Sequence, residues 1–353
     1  MITIQEIAQQ MQVSVATVSN ALNGKGRMRA DLRRQILQEA EQQGYEINAR
    51  NTERGTGVIA IAEDLSVSFC ADIAAGLSEY AEECGVACPV YSMSICAKYG
   101  PRPDARDLKR ELRSLLTRIA DSGITGITGI LYIANTPRCF DGLFEGAFDP
   151  AVCRIVYVYC QSQDSAPCVN YNDRQGARMA ASALIESGAK RIAMFSGLLN
   201  SIPMSNRLFG FQLALSEVGL SFDPSLIYIG DWTTESGYRL AKEMLARSQN
   251  GECPLPDAIF SQNDEMAAGI LRALSENGVR VPDDIQLIGF DDKEIAGALC
   301  PTLTTVRPPL RGLGAEALRT MLLMQSGGKT AFEKNVFLPC ELVRRDSTRN
   351  PAR

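Results

Sequence analysis

Two textures follow one another along the chain. Over the first 46 residues, apolar positions recur at helical spacing: Ile4, Ile7, Ala8 and Met11 form one stripe, preceded by Thr3 and Glu6 in the T-x-x-E order of a capping box. A short first helix is expected there. After the break at Met11-Gln12-Val13, Ser14 is placed to cap a second helix with Val18 and Leu22 facing inward, ending near Asn23-Gly24. A third, from about Asp31 to Gln43, carries Leu32, Ile36, Leu37 and Ala40 and stops at Gly44. The first two make a helix-turn-helix candidate within an all-α head.

From Gly57 onward, apolar runs alternate with amphipathic stretches. Strands are expected at Gly57–Ala62, Pro89–Ser94, Thr128–Ile133, Arg154–Tyr159, Arg191–Phe195, Ser225–Ile229, Ala258–Phe260 and Ile285–Phe290. Helices are expected at Ala71–Glu83, Lys109–Asp121, Gln175–Ser187, Phe209–Val218, Ser236–Ala246 and Glu265–Glu276. Such alternation predicts parallel sheets with helices on both faces. About 285 residues is too much for one sheet of this kind, so two α/β lobes are expected. Gly123, Gly126 and Gly129 lack the order and context of a phosphate-binding turn and read as loop-to-strand packing.

Charge sharpens this division. Lys25, Arg27, Arg29, Arg33 and Arg34 oppose only Asp31 within residues 23–34, whereas the whole chain of 353 residues carries a net −5. A basic face beside the second helix suits nucleic acid in an otherwise acidic protein. The sequence contains no histidine, which removes Ser-His and Cys-His nucleophile pairs and histidine metal ligands. An enzyme is disfavoured, and neither a cofactor nor a metal is called for. Eleven cysteines without a short-chain disulfide framework read as reduced thiols, and the start of the chain lacks the regions of a signal peptide. No apolar run approaches the roughly 18 residues that span a bilayer, so a cytoplasmic protein without membrane contact is expected.

Ile4-x-x-Ile7-Ala8, Val13-Ser14-x-x-Thr17-Val18-Ser19-Asn20-x-Leu22-Asn23 and Gly44-Tyr45-x-x-Asn48 closely resemble the DNA-binding head of the lactose/galactose repressor (LacI/GalR) family. The resemblance continues through Asp173-x-x-Gly176-Ala177, Arg207-x-x-Gly210, Gly230-Asp231-Trp232, Asn263-Asp264-x-Met266-Ala267-x-Gly269, Val281-Pro282-Asp283-Asp284-Ile285, Gly289-Phe290-Asp291-Asp292 and Pro301-x-Leu303-Thr304-Thr305-Val306. It reaches about residue 345. It implies a head at 1–46, a hinge at 47–57 and a two-lobed, periplasmic-binding-protein-like effector and dimerisation domain at 58–346. The N-lobe is expected at about 58–162 and 293–324, the C-lobe at about 163–292 and 325–346, and a flexible tail at 347–353.

The resemblance also implies roles. Val15, Ala16 and Asn20 would face base edges in the major groove, while Ser14, Thr17, Ser19, Asn23 and Arg29 would hold the backbone. Asparagine pairs bidentately with adenine, and small apolar groups contact thymine methyls. At the hinge, Ile47 stands where the family usually has proline, and no leucine follows. Arg54 takes the place of the leucine wedge, where it can enter a narrow minor groove but cannot intercalate. Phe69, Cys70, Ser201, Arg207, Trp232, Asn263 and Asp291 match the family's effector site, and Asp, Asn, Arg and Trp together suit a carbohydrate. Cys70 in place of an aromatic, and Tyr159-Cys160 where sugar binders often carry an Asp, leave the ligand open. The expectation is a homodimeric repressor that binds a pseudo-palindromic double-stranded operator under control of a small, carbohydrate effector. A sugar-binding module without regulatory DNA binding and a thiol-based redox regulator are its rivals.

Overall fold

The computed structural model describes residues 3–22, 32, 35–36, 39–40, 57–100, 103–122, 124, 126–135, 143–144, 147–148, 153–160, 166–199, 201–326 and 335–349. In the head, α1 (Ile4–Gln10) opens on the expected capping box: Thr3 Oγ1 accepts from the Glu6 amide at 3.3 Å, and the Glu6 carboxylate accepts from the Thr3 amide at 2.7 Å. The chain then turns at Gln12, in the left-handed region at φ 54°. α2 (Val15–Leu22) follows Ser14, whose Oγ accepts from the Thr17 amide at 3.0 Å. Ile7, Val18, Ile36 and Ala40 are fully buried together. The third apolar stripe therefore closes the head core as expected, although the ends of its helix lie outside the described residues. So do Asn23, Arg29, Arg54, residues 47–56 and the rest of the basic stretch.

Two six-stranded sheets form the body. In lobe one, β1 (Val58–Ala62), β2 (Val90–Ser92), β3 (Gly129–Ile133), β4 (Arg154–Val158), β5 (Cys168–Tyr171) and β11 (Asn335–Leu338) stand in the order β11-β5-β4-β3-β1-β2. All their pairings are parallel. Lobe two contains β6 (Ile192–Ser196), β7 (Ile227–Ile229), β8 (Ala258–Ser261), β9 (Gln286–Phe290), β10 (Thr304–Arg307) and β12 (Glu341–Val343), ordered β12-β10-β9-β8-β6-β7. Only β12 runs antiparallel.

Helices cover these sheets. Lobe one carries α3 (Ser68–Cys84), α4 (Ile95–Tyr99), α5 (Ala105–Asp121) and α11 (Leu310–Gln325), and lobe two carries α6 (Asp173–Glu186), α7 (Ile202–Glu217), α8 (Thr234–Gln249), α9 (Asp264–Glu276) and α10 (Glu294–Ala298). α5 shows how the pattern builds the core: Leu108, Leu112, Leu115 and Ile119 point inward at i, i+4 and i+7 spacing onto Ile59, Ile61 and Ile130. Burying each such side chain contributes about 1.5–3 kcal/mol. α3 and α11 approach so closely that a Cβ at Gly76 would stand 2.1 Å from the Arg311 carbonyl.

The chain crosses between lobes three times, at Asn172, at Pro308-Pro309 and at residues 339–340. The Asn172 amide donates to the Leu338 carbonyl at 2.9 Å, and the Cys340 amide donates to Gln175 Oε1 at 2.9 Å, so two crossings are bound side by side. These positions correct the expected lobe boundaries. β5 and β11 belong to lobe one and α10 and β10 to lobe two, whereas β12 lies in lobe two as expected. The apolar pattern of a parallel strand marks it as buried without telling which sheet it joins. α7 begins seven residues before Phe209 because Ser201 caps it and Pro203 suits its first turn. The start of the supposed tail is also packed: buried Ser347 donates from Oγ to the Leu287 carbonyl at 2.6 Å, and the Arg349 amide donates to Gln286 Oε1 at 2.8 Å. Side-chain hydrogen bonds fix this segment where no apolar pattern announces it.

Candidate functional site

Two places in the described structure present side chains that their own element does not need. The first is the outer face of α2. Val18 and Ala21 are buried, whereas Ser14, Val15, Ala16 and Asn20 are exposed; Val15 is 46% exposed and makes an unusual apolar outlier. Positions 16 and 20 lie on the side of the helix opposite Val18, with 15 and 19 flanking them. Thr17 and Ser19 are half-buried at its margins, and the Ser14 and Thr17 hydroxyls lie 2.7 Å apart.

The second is the cleft between the lobes, at the C-terminal ends of the parallel strands, where open α/β sheets bind ligands. Its backbone is strained there: Ser94, Tyr159, Trp232, Asp291 and Asp292 all have positive φ and all follow strand ends. Such conformations concentrate at ligand-binding positions. Arg207, on α7, is the centre. Its side chain is 3% exposed; Nε donates to Asp173 Oδ1 at 2.7 Å, Nη2 to the Tyr171 hydroxyl at 3.1 Å, and Nη1 to the Gln262 carbonyl. Asp291 Oδ1 stands 3.5 Å from Nη2. The guanidinium also lies over Phe290, 3.6 Å from its centroid, and 5.7 Å from that of Trp232.

Trp232 is a half-buried indole at φ 73°. It rests on Gly197, where a Cβ would come within 1.9 Å of the ring. Asn263 serves as its anchor: Oδ1 caps α9 through the Met266 amide at 3.0 Å, and Nδ2 donates to the Trp232 carbonyl at 2.8 Å. Phe69 contacts Tyr159 at 4.5 Å between centroids and Tyr171 at 6.5 Å. Ser201 is half-buried with its Oγ accepting from the Met204 amide at 3.4 Å.

Cys70 departs from the expected set. It is fully buried in the core of lobe one, one residue along the helix from Phe69, because α3 turns it toward the sheet. The cleft thus gathers Phe69, Arg207, Trp232, Asn263 and Asp291, with Ser201 at the head of α7 and Cys70 behind the wall. Tyr159, Tyr171, Asp173, Gln262 and Phe290 complete the constellation. Of these, Tyr159 had shown itself only as a substitution and Asp173 only as part of a motif.

Burial decides the charges. Desolvation pushes the Asp291 carboxyl up to about 6 despite Arg207 and Lys293 nearby, and pushes Asp264 up to about 8 with Asp291 as its neighbour. Burial also lifts the thiols of Cys70, Cys88 and Cys340 to about 12 and those of Cys96 and Cys153 to about 11. Reactive cysteines require the opposite shift, so these five do not support a redox role. A separate hollow of about 270 Å³ lies at the far end of lobe two, beside Lys190, Arg191, Leu215 and Asp223. Its Arg191 and Asp223 are paired at 3.5 Å, and it shares nothing with the cleft.

Comparison with known proteins agrees with this geometry. Residues 3–48 match the model of bacterial regulatory proteins of the lacI family, and residues 181–348 match that of a periplasmic binding protein-like domain. The chain is 32% identical over 355 residues to the HTH-type transcriptional regulator DegA of Bacillus subtilis (strain 168), covering 98% of both chains. The chain belongs to the LacI family. It is 29% identical to catabolite control protein A of Priestia megaterium over 99% of both chains. A crystal structure of the Lac repressor dimer bound to operator and the anti-inducer ONPF superposes with a TM-score of 0.68 at 25% identity, covering 98% of this chain and 99% of that one. The LacI-family chain is therefore a DNA-binding transcription regulator and not an enzyme. Among its described residues, no helix is long and apolar enough to cross a membrane.

Proposed function

We propose that this LacI-family regulator is a cytoplasmic homodimeric repressor that reads a pseudo-palindromic operator with the outer face of α2, under the control of a small carbohydrate bound between the lobes. The observation that carries the effector half is Arg207: a side chain of lobe two holds Tyr171 of lobe one and faces Asp291, so anything binding there alters how the lobes meet. The coupling to the head is of the usual allosteric size, about 1–3 kcal/mol. For the DNA half, exposed Val15, Ala16 and Asn20 supply base-edge chemistry, and Ser14, Thr17, Ser19, Asn23 and Arg29 supply backbone contacts. Arg54 adds a minor-groove contact within the hinge.

A selected operator, titrated with the full chain at several salt concentrations, tests the reading. With roughly 6–10 phosphate contacts from two heads, affinity falls about 10³- to 10⁵-fold between 50 and 200 mM salt. Asn20→Ala relaxes preference at one base pair per half-site by about 1–3 kcal/mol. A flat salt response would favour a sugar-binding module without regulatory DNA binding, and uniform weakening by Asn20→Ala would remove Asn20 from base readout.

A further inference from the structure

Four aromatic rings form a column that passes from lobe one into lobe two. Phe69 meets Tyr159 at 4.5 Å between centroids, Tyr159 stacks on Tyr171 at 4.9 Å and 15°, and Tyr171 meets Phe290 at 6.4 Å. Along its edge runs a hydrogen-bond chain that starts at a cation and leads from Arg207 through Tyr171 to Tyr159. Arg207 has donors and no acceptor, so the Tyr171 hydroxyl accepts its Nη2 proton at 3.1 Å. Tyr171 then passes its own single proton to the Tyr159 hydroxyl at 2.7 Å. Tyr159 accepts that bond and keeps one proton to give. Among the described residues this hydroxyl makes no other hydrogen bond, although Tyr159 is only 6% exposed. A buried donor left unspent costs free energy unless something accepts it.

The charge around the same spot is already balanced. Arg207 is closed off by Asp173 at 2.7 Å and by Asp291 at 3.5 Å, and Lys293, the next cation, is paired with Glu265. Among the described residues, an anionic ligand would find carboxylates there and the nearby cations already paired. A neutral hydroxyl or ring oxygen would find the polarised end of a chain that begins at a cation.

Resting on the effector reading above, we propose that Tyr159 is a specificity-determining residue: its hydroxyl proton is donated to an acceptor oxygen of an uncharged, polyhydroxylated effector, and the site discriminates against phosphorylated forms of the same compound. Tyr171 is the positioning residue that orients this proton. Burial keeps both phenols protonated well beyond neutral pH, so the donor is available throughout the working range.

The test uses the full chain and a panel of neutral aldoses and disaccharides, including ribose, glucose and cellobiose, with ribose 5-phosphate and glucose 6-phosphate as the charged counterparts. Binding is followed by the melting temperature and by the fluorescence of Trp232, the single tryptophan. For the sugar that binds, Tyr159→Phe weakens affinity tenfold or more while leaving the ligand-free melting temperature within a few degrees. Tyr171→Phe weakens it as well, and a phosphate ester of that sugar binds at least tenfold less tightly. Should Tyr159→Phe fold poorly, deoxy analogues on the wild-type chain replace it, with one position expected to lose tenfold. Equal affinity of Tyr159→Phe and wild type, no sensitive deoxy position, or tighter binding of the phosphate ester overturns the assignment and leaves the effector reading standing. A panel in which no sugar raises the melting temperature removes both.

Discussion

Both lobes bury carboxyl groups at the ends of their strands, and they keep them by opposite means. In lobe one, Glu63 accepts from the Tyr132 hydroxyl at 2.9 Å and the Asn135 amide at 3.0 Å. Asp64 accepts from the Ser66 amide and hydroxyl at 2.9 and 2.6 Å, and from the Cys96 amide at 2.8 Å. Burial raises the Asp64 carboxyl, yet these hydrogen bonds together outweigh it and hold the group below its ordinary value. Lobe two instead crowds Asp173 and Asp291 around Arg207, and even that cation leaves both carboxyls raised by desolvation. Local dipoles outweigh burial at Asp64, whereas at Asp264 in lobe two the Thr305 hydroxyl and the Lys293 amide do not. A shared cation satisfies several anions incompletely, which is the condition a ligand can improve.

The largest blow to this contrast is Arg207→Ala. Removing the cation strands Asp173 and Asp291 and costs about 3–5 kcal/mol of stability, measured by urea denaturation without ligand. A loss below about 1 kcal/mol would mean that lobe two does not depend on the pair. The second test is pH. The folded value of Asp291, about 6, lies above its ordinary 3.8, so the folded state binds the extra proton and stability falls as pH rises from about 4 to 6. Asp264, at about 8, extends the decline toward pH 8. The Asp291 share is roughly 1–3 kcal/mol, and Asp291→Asn flattens the lower part of the profile. Asp64 works in the other direction: its contribution is present above its ordinary value and disappears as pH falls through the lowered one. Smallest is Tyr132→Phe, which deprives Glu63 of one donor while the Asn135 amide remains, and costs about 0.5–1.5 kcal/mol. Its melting profile shifts without any change in Trp232 emission, since the damage stays within lobe one.

How much of this the sequence disclosed follows from how local each signal is. The capping box at Thr3 and Glu6, the stripe of α5 and the apolar runs of β1 and β3 are short-range and could be read directly. β5, β10, β11 and β12 hold only three or four residues each, too few for a period, and their sheet is chosen by partners far along the chain. Family resemblance located Arg207, Trp232 and Asn263, but the motif could not tell that Asn263 spends its side chain on a helix cap and on the Trp232 carbonyl. Cys70 was misplaced because one residue along a helix exchanges cleft for core. Tyr159 and Tyr171 went unassigned because an aromatic residue in or beside a buried strand reads as packing until its hydroxyl has a direction.

The crossings have a consequence for how the protein is made. β11 pairs with β5, yet between Tyr171 and Asn335 a ribosome must produce β6 to β10 and α6 to α11. At roughly 5–20 residues per second, the nascent lobe one therefore waits on the order of ten seconds with the ladder edge of β5 unpaired and without α11 to cover α3. An open edge is a template for the wrong partner. Once β10 is made, lobe two lacks only the short edge strand β12 and the segment to Arg349, whereas lobe one still lacks a whole helix as well as β11, and both are closed only when translation is nearly over.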